Sequence, residues 1–283
     1  MSEPEQPEKF IAFFDVLGWK HHVRASSEGT GLSRVELEET IGALGTDEDR
    51  KHIEKYGPTT CPQAPYIRRD LDFQITAASD CAIVSTEISP AGLINLVSHC
   101  WTACFKLLSK GLMCRGSITR GQIHHTDKYQ FGTGLNEATE REKKVAVFRE
   151  NADESGTPYI ELGKDVVFYV EQQHDQCVKE MFSRLVEIDD DLAAVFPFKR
   201  LNHSFMIAGF GTEFDPQSER DSLNNVRGWI RMMRAQVQRH INMADASVVQ
   251  KGGHYLRLLD AQMVACDDTE EAINRLSRPF ASS

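Results

Sequence analysis

Two acids set the chemical question. Asp15 ends the apolar run Phe10-Ile11-Ala12-Phe13-Phe14, and Asp80 interrupts a second run, Ala77-Ala78-Ser79-Asp80-Cys81-Ala82-Ile83-Val84-Ser85. A carboxylate in such a run carries a desolvation cost that a cation offsets. Two of them at neighbouring strand ends suit divalent ions, which prefer carboxylate oxygen and keep positions open for phosphate. Strand-end aspartates also serve as turn and cap residues, so the pair alone leaves both readings open. Gly18 follows Asp15 closely, where a turn would admit another backbone or a phosphate. A third block, Phe131-Gly132-Thr133-Gly134-Leu135-Asn136, puts a glycine loop before a helix, and a helix start can receive phosphate or ribose oxygens.

The elements that position these groups follow from periodicity and turn residues. Residues 10–19 are of strand length. Helices are expected over 33–44 and 47–56, then a surface loop over 57–65, where glycine and three prolines break any helix. Strands over 70–76 and 81–86 form a hairpin with Asp80 at or near its tip. Leu93, Leu96, Val97, Cys100, Trp101, Cys104, Leu107 and Leu108 recur at helical spacing, predicting a helix over 90–111 that Gly111 ends. A strand over 113–123, a charged helix over 135–151 and a short strand over 159–162 come next. Leu135, Ala138, Val145 and Phe148 form that helix's inner face. Helices dominate from Val166 onward, interrupted by an apolar stretch at 205–210. The longest, over 221–251, resembles a packing or dimerisation arm. The order predicts an α+β fold, a mixed and mainly antiparallel sheet with helices packed on it, plus a helical C-terminal extension. The expected divisions are a disordered tail over 1–9, a domain bearing the acids over 10–167, and the extension over 168–283.

Composition narrows the setting. A chain of 283 residues, 41% hydrophobic and 26% charged, can bury a sizeable core without disulfide staples. The net charge of -10 argues against nucleic acid as a partner, since phosphate backbones need a basic face. The seven cysteines form no Cys-x-x-Cys pair; Cys100 and Cys104, one helical turn apart, read as buried core thiols, and the setting as reducing and cytoplasmic. The polar, acidic start is unlike a signal peptide, and no run reaches the ~20 residues of a membrane span. His124-His125 and His21-His22 read as solvated turns, Lys251-Gly252-Gly253-His254 as a helix end, and Glu140-Arg141-Glu142-Lys143-Lys144 as a solvated helix face.

In order, the blocks resemble the class III nucleotidyl cyclases. That family's first strand carries Phe-x-Asp-(Ile/Val)-x-Gly-(Phe/Trp), here residues Phe13 to Trp19, and its second metal aspartate matches Asp80 after Ser79. Its Arg-x-Gly-Ile-x-x-Gly strand is matched in part by Arg115-Gly116-Ser117-Ile118-Thr119-Arg120-Gly121. Its Gly-x-x-Val-Asn-x-Ala-x-Arg-x-Glu helix start is matched by Gly132 through Glu142. The resemblance covers residues 10–167. The short Arg-Gly-Ser-Ile strand, the Asn-Glu-Ala-x-Glu helix and the helical tail look most like the bacterial pyrimidine cyclases of Pycsar anti-phage defence.

The resemblance implies a homodimer with active sites at the interface, and Mn²⁺ or Mg²⁺ held by Asp15, the Val16 carbonyl and Asp80. It implies conversion of UTP, or of CTP as runner-up, to the 3′,5′-cyclic monophosphate, a messenger for a separate cyclic-nucleotide-binding effector. Asn136 would orient the ribose, and Arg141 or Arg115 would meet the transition state, with Arg120 a further candidate. Phe14, Gly18, Thr76 and Tyr129 would contact substrate, and Tyr56 beside its loop either meets a pyrimidine by stacking or hydrogen bonding or packs on its own domain. Two departures stand out. Glu140 occupies the usual arginine position, which displaces Arg141 by ~100° around the helix. Thr76 and Tyr129 occupy the two base-reading positions, so the Lys and Asp of adenine readers are missing. A nucleotide-binding module without turnover and a two-metal phosphohydrolase are the competing expectations.

Overall fold

The computed structural model describes residues 6–152, 154, 156–201, 214–241 and 245–277, with Arg200 described by its backbone alone. The apolar stretch expected at 205–210 lies outside the described residues. Strand β1 (Glu8–Val16) leads into helices α1 (Trp19–Ser27), α2 (Arg34–Leu44) and α3 (Asp47–Tyr56). Ser33 and Glu36 close a capping box on α2, each side chain bonded to the other's backbone N–H. The hairpin β2 (Gln74–Ala78) and β3 (Cys81–Glu87) follows, then α4 (Pro90–Ser109) and β4 (Cys114–Gln122). A short hairpin, β5 (His124–His125) and β6 (Gln130–Phe131), precedes α5 (Thr133–Glu142). Next come β7 (Ile160–Leu162), α6 (Lys164–Glu171), α7 (Gln176–Ser183), β8 (Val186–Asp189) and β9 (Leu192–Val195), then α8 (Pro216–His240) and α9 (Ala246–Leu276).

Seven strands form one sheet in the order β2-β3-β1-β4-β7-β9-β8. Among the described residues only the β4–β7 pairing is parallel, so the fold is α+β with a mainly antiparallel sheet. Helices cover both faces. The Cys104 and Cys114 sulfurs, 3.3 Å apart, place α4 on the Val16 side of β1, because Cys114 pairs with Val16 across the β1–β4 ladder. Ser117 Oγ donates to the Ala138 carbonyl, which places α5 on the Asp15 side. Helix α4 is long and apolar enough to cross a membrane, yet 67% of its apolar window is buried in this fold. Its thiols Cys100 and Cys104 are buried as expected.

Several expectations need correction. The chain is ordered into β1 from Glu8, not after a nine-residue tail. Lys9 is 2% exposed, and its ammonium is neutralised by the Asp72 carboxylate at 3.0 Å. The helix expected over 135–151 ends at Glu142, because the Glu161 carboxylate captures the Ala146 and Val147 N–H groups at 2.8 and 3.0 Å. The segment after residue 167 is not purely helical: β8 and β9 extend the same sheet. The chain accordingly forms two compact units, Met1–Leu107 with Met113–Pro197, and Leu108–Leu112 with Phe198–Ser283. Cys61 and Cys177 are joined in a disulfide that the sequence did not announce.

In the second unit, the single long helix expected over 221–251 is two helices, each started by an aspartate. Asp215 caps α8 ahead of Pro216, and Asp245 caps α9 by accepting from Ser247 and Val248. Gly252 and Gly253 lie inside α9 rather than at its end. A Cβ on Gly252 would sit 2.5 Å from the Ile241 side chain, so glycine allows that close approach. Arg227 pairs with Glu270 and Asp267, and Arg234 with Asp260, which fixes α8 and α9 side by side.

Candidate active site

Strand alternation sorts the residues of β1. Phe10, Ala12, Phe14 and Val16 turn toward α4 and are buried, while Ile11, Phe13 and Asp15 turn toward α5. Phe14 is therefore 0% exposed on the face opposite Asp15 and does not contact a ligand held there, contrary to expectation. The register sets Asp15 opposite Cys81 on one side and Arg115 on the other. Asp80 is the second residue of the turn between β2 and β3, entered through Ser79 at φ 57°. The Val16 N–H donates to the Asp80 carbonyl at 2.8 Å, so Asp15 and Asp80 meet at one end of the sheet.

Their charges converge on the thiol between them. Burial pushes the Cys81 pKa up, and the Asp80 and Asp15 carboxylates push it further. Asp15 Oδ1 is shielded from solvent. Focused negative charge and hard oxygen donors fit a divalent cation. Among the described residues no three His, Cys, Asp or Glu side chains cluster around one point. A cation between the aspartates would thus complete its shell from carbonyl, water and phosphate oxygens.

A helix start lies beside the acids, though not the expected one. Gly18, at φ 73°, turns the chain in a left-handed conformation that favours glycine. Helix α1 begins at the next residue without a side-chain cap. Its first-turn amides and the positive end of its dipole follow Asp15 within a few residues, a setting that attracts anions. Helix α5 runs the other way relative to the site. Thr119 Oγ1 donates to the Gly134 carbonyl, Ser117 Oγ to that of Ala138, and Arg115 Nε to Glu142. Thr119 pairs with Ile11 and Arg115 with Asp15, so the helix starts beside Ile11 and ends beside Asp15. Four strand residues separate those levels, ~13 Å. The glycine loop before α5 therefore does not deliver phosphate to Asp15 of the same chain.

The faces of α5 divide the remaining candidates. Gly134, Ala138 and Glu142 point inward. Asn136, about 200° around from Gly134, and Glu140 are exposed. Arg141 lies on the flank, where Nε donates to Glu137 at 2.9 Å. Arg115 is mostly buried and paired with Glu142, and Arg120 pairs with Glu8 at 2.6 Å. Each arginine candidate thus already has a carboxylate partner in the chain.

The residues expected to read a base are gathered at the opposite side of the β1–β3 ladder. Thr76 on β2 pairs with Ile83, which pairs with Phe13, one row along from Asp15 and Cys81. Its hydroxyl lies 3.1 Å from His125 Nε2, at the foot of the hairpin whose tip exposes Tyr129. Arg50 of α3 reaches Asp127 in that tip at 3.4 Å, and exposed Tyr56 ends the same helix under Lys55.

No protein-family model matches the chain, and no curated protein matches it. Solved structures do align with it. The dimeric guanylyl cyclase domain of the RhoGC fusion protein from the aquatic fungus Blastocladiella emersonii is 12% identical, with TM-score 0.40, over 69% of this chain and 98% of that one. The catalytic core of a rhodopsin-guanylyl cyclase with converted specificity, in complex with ATPalphaS, is 13% identical, with TM-score 0.35, over 61% of this chain and 86% of that one. A class III adenylyl cyclase-like ATP-binding protein from Pseudomonas aeruginosa is 9% identical, with TM-score 0.34, over 62% and 40%. Likenesses this distant carry no functional assignment.

His125 is the residue that sequence reasoning placed wrongly. It is not in a solvated turn: it is 8% exposed, and Ser85 Oγ lies 2.9 Å from Nδ1. Burial, then the nearby charges of Lys9 and His124, push its pKa down from 6.5 to about 4. The unfolded chain thus binds the proton more tightly, and this contribution to stability is complete above pH 6.5 and lost as pH falls toward 4. Its size is roughly 3 kcal/mol. Urea denaturation at stepped pH should show wild type losing stability across that window and His125→Asn losing much less. Parallel curves would contradict it. The alternation of polar Thr76 and Ser85 within apolar strands was the available signal.

Proposed function

We propose that the chain is a metal-dependent nucleotidyl cyclase acting on a pyrimidine nucleoside triphosphate, UTP before CTP. The observation that carries this reading is the meeting of Asp15 and Asp80 at one sheet end beside the start of α1. Asp15, Asp80 and the Val16 carbonyl would hold Mn²⁺ or Mg²⁺, and such an ion lowers the pKa of a ribose 3′-hydroxyl and offsets triphosphate charge. The α1 amides would bind phosphate oxygens. The 3′-oxygen forms a bond to the α-phosphorus, its proton passes to solvent, and pyrophosphate leaves as the α-phosphorus bond to it breaks. Arg115, in the Asp15 row, is the arginine nearest the developing charge by register, provided Glu142 shares it. Asn136 would orient a ribose bound to the acids of a second copy, since it faces away from those of its own chain. Thr76, Tyr129 and Tyr56 would line the base pocket. The cyclic product would act on a separate effector, in the anti-phage role that the resemblance implies.

Purified chain incubated with Mn²⁺ and each of the four ribonucleoside triphosphates should yield chiefly cyclic UMP. Absence of any cyclic product would end the cyclase reading. The ion pairs that hold all three arginine candidates favour a second reading, a nucleotide sensor without turnover. Tight binding with the nucleotide recovered intact would select it, and linear monophosphate would select a hydrolase.

A further inference from the structure

We propose that Ser85 and His125 form a relay that leaves the Thr76 hydroxyl proton free to donate to a carbonyl of the incoming base. The three groups are joined in line: Ser85 Oγ is 2.9 Å from Nδ1 of His125, and Thr76 Oγ1 is 3.1 Å from Nε2. Ser85 is 0% exposed and His125 8% exposed, while Thr76 is half-buried on the open part of the same sheet face.

Hydrogen-bond accounting fixes the direction. A neutral imidazole has one N–H donor and one acceptor nitrogen. Were Nδ1–H to donate to Ser85, the buried serine proton would have no acceptor shown among the described residues, an arrangement that costs the desolvation of that group. Ser85 therefore donates to Nδ1, the ring proton resides on Nε2, and Nε2–H donates to Thr76. Thr76 keeps its own proton. In the opposite tautomer Nε2 would accept that proton, and Thr76 could only accept from a ligand. The burial that keeps His125 neutral, together with the Lys9 ammonium nearby, preserves the one-donor, one-acceptor state on which the relay depends.

The placement suits a base. Thr76 lies one row, ~7 Å, along the strands from the Asp15 level and two strand spacings, ~10 Å, across from β1. A hydroxyl that donates fits the O4 carbonyl of uracil, whereas the exocyclic amine of cytosine at that place is itself a donor. This assignment rests on the cyclase reading above for the identity of the ligand, but the relay's direction does not.

The test has two arms. Imidazole ¹⁵N and ¹³C NMR of the full chain, with His125→Asn to assign the His125 signals, should show the Nε2–H tautomer. In Ser85→Ala the Nδ1–H fraction should rise, and the ratio of kcat/KM for UTP over CTP should fall roughly tenfold toward parity. Thr76→Val should lower the ratio similarly, and Thr76→Ser should retain it. A general loss of stability would lower both substrates' rates together and leave the ratio in place. A wild-type Nδ1–H tautomer overturns the proposal. So does an unchanged ratio in Ser85→Ala once the tautomer has shifted. A chain that cyclises nothing refutes the cyclase reading instead, and the tautomer measurement still decides the relay.

Discussion

Asp15→Asn is expected to abolish the proposed cyclic-nucleotide formation, by ~10³-fold or more, while leaving the chain folded. The amide is nearly isosteric with the carboxylate, so the β1 ladders to β3 and β4 have no steric reason to change. What disappears is one of the two charges that converge on Cys81. Without a cation those charges repel, so the variant should match or exceed wild type in urea denaturation carried out in the presence of chelator. The expected signature is an inactive protein of undiminished stability that no longer gains stability from Mn²⁺. Substantial turnover by Asp15→Asn would remove the acid pair from the mechanism. Reduced stability in chelator would mean that Asp15 is a structural residue.

The opposite profile is expected of Glu142→Ala. Arg115 and Glu142 have side chains only 18% and 5% exposed, at the junction of β4 with the end of α5. Truncating the acid leaves a guanidinium in a poorly solvated place, which costs about 3–5 kcal/mol. The urea midpoint should fall accordingly at constant slope. Replacing both residues by apolar ones of similar volume should recover most of the loss, because the pair's own net contribution is small next to the cost of breaking it. A loss below about 1 kcal/mol would mean that water reaches the arginine.

The elements that bring Asp15 and Asp80 together were legible because their signals are local. The apolar run before Asp15 and the turn at Ser79 and Asp80 each act over a few residues, and the elements formed where those signals fell. Alternation along β1 also decided the fate of Phe14, although family position had marked it for substrate. Other features depend on partners distant in the chain. Glu161 ends α5 by taking amides that a longer helix would have used internally. His125 is buried because Ser85 and Thr76, forty and forty-nine residues away, offer it partners. The break between α8 and α9 was visible in the Asp245 cap, but the run of arginine and methionine residues before it concealed the signal.

The outward stance of Asn136 has a consequence for dosage. If that amide serves the reaction, it serves a neighbour's acids, and a solitary polypeptide is half a machine. Output would then grow with the square of expression level while copies are scarce and become proportional once encounters saturate. Abundance alone would act as a threshold, with no added regulatory domain.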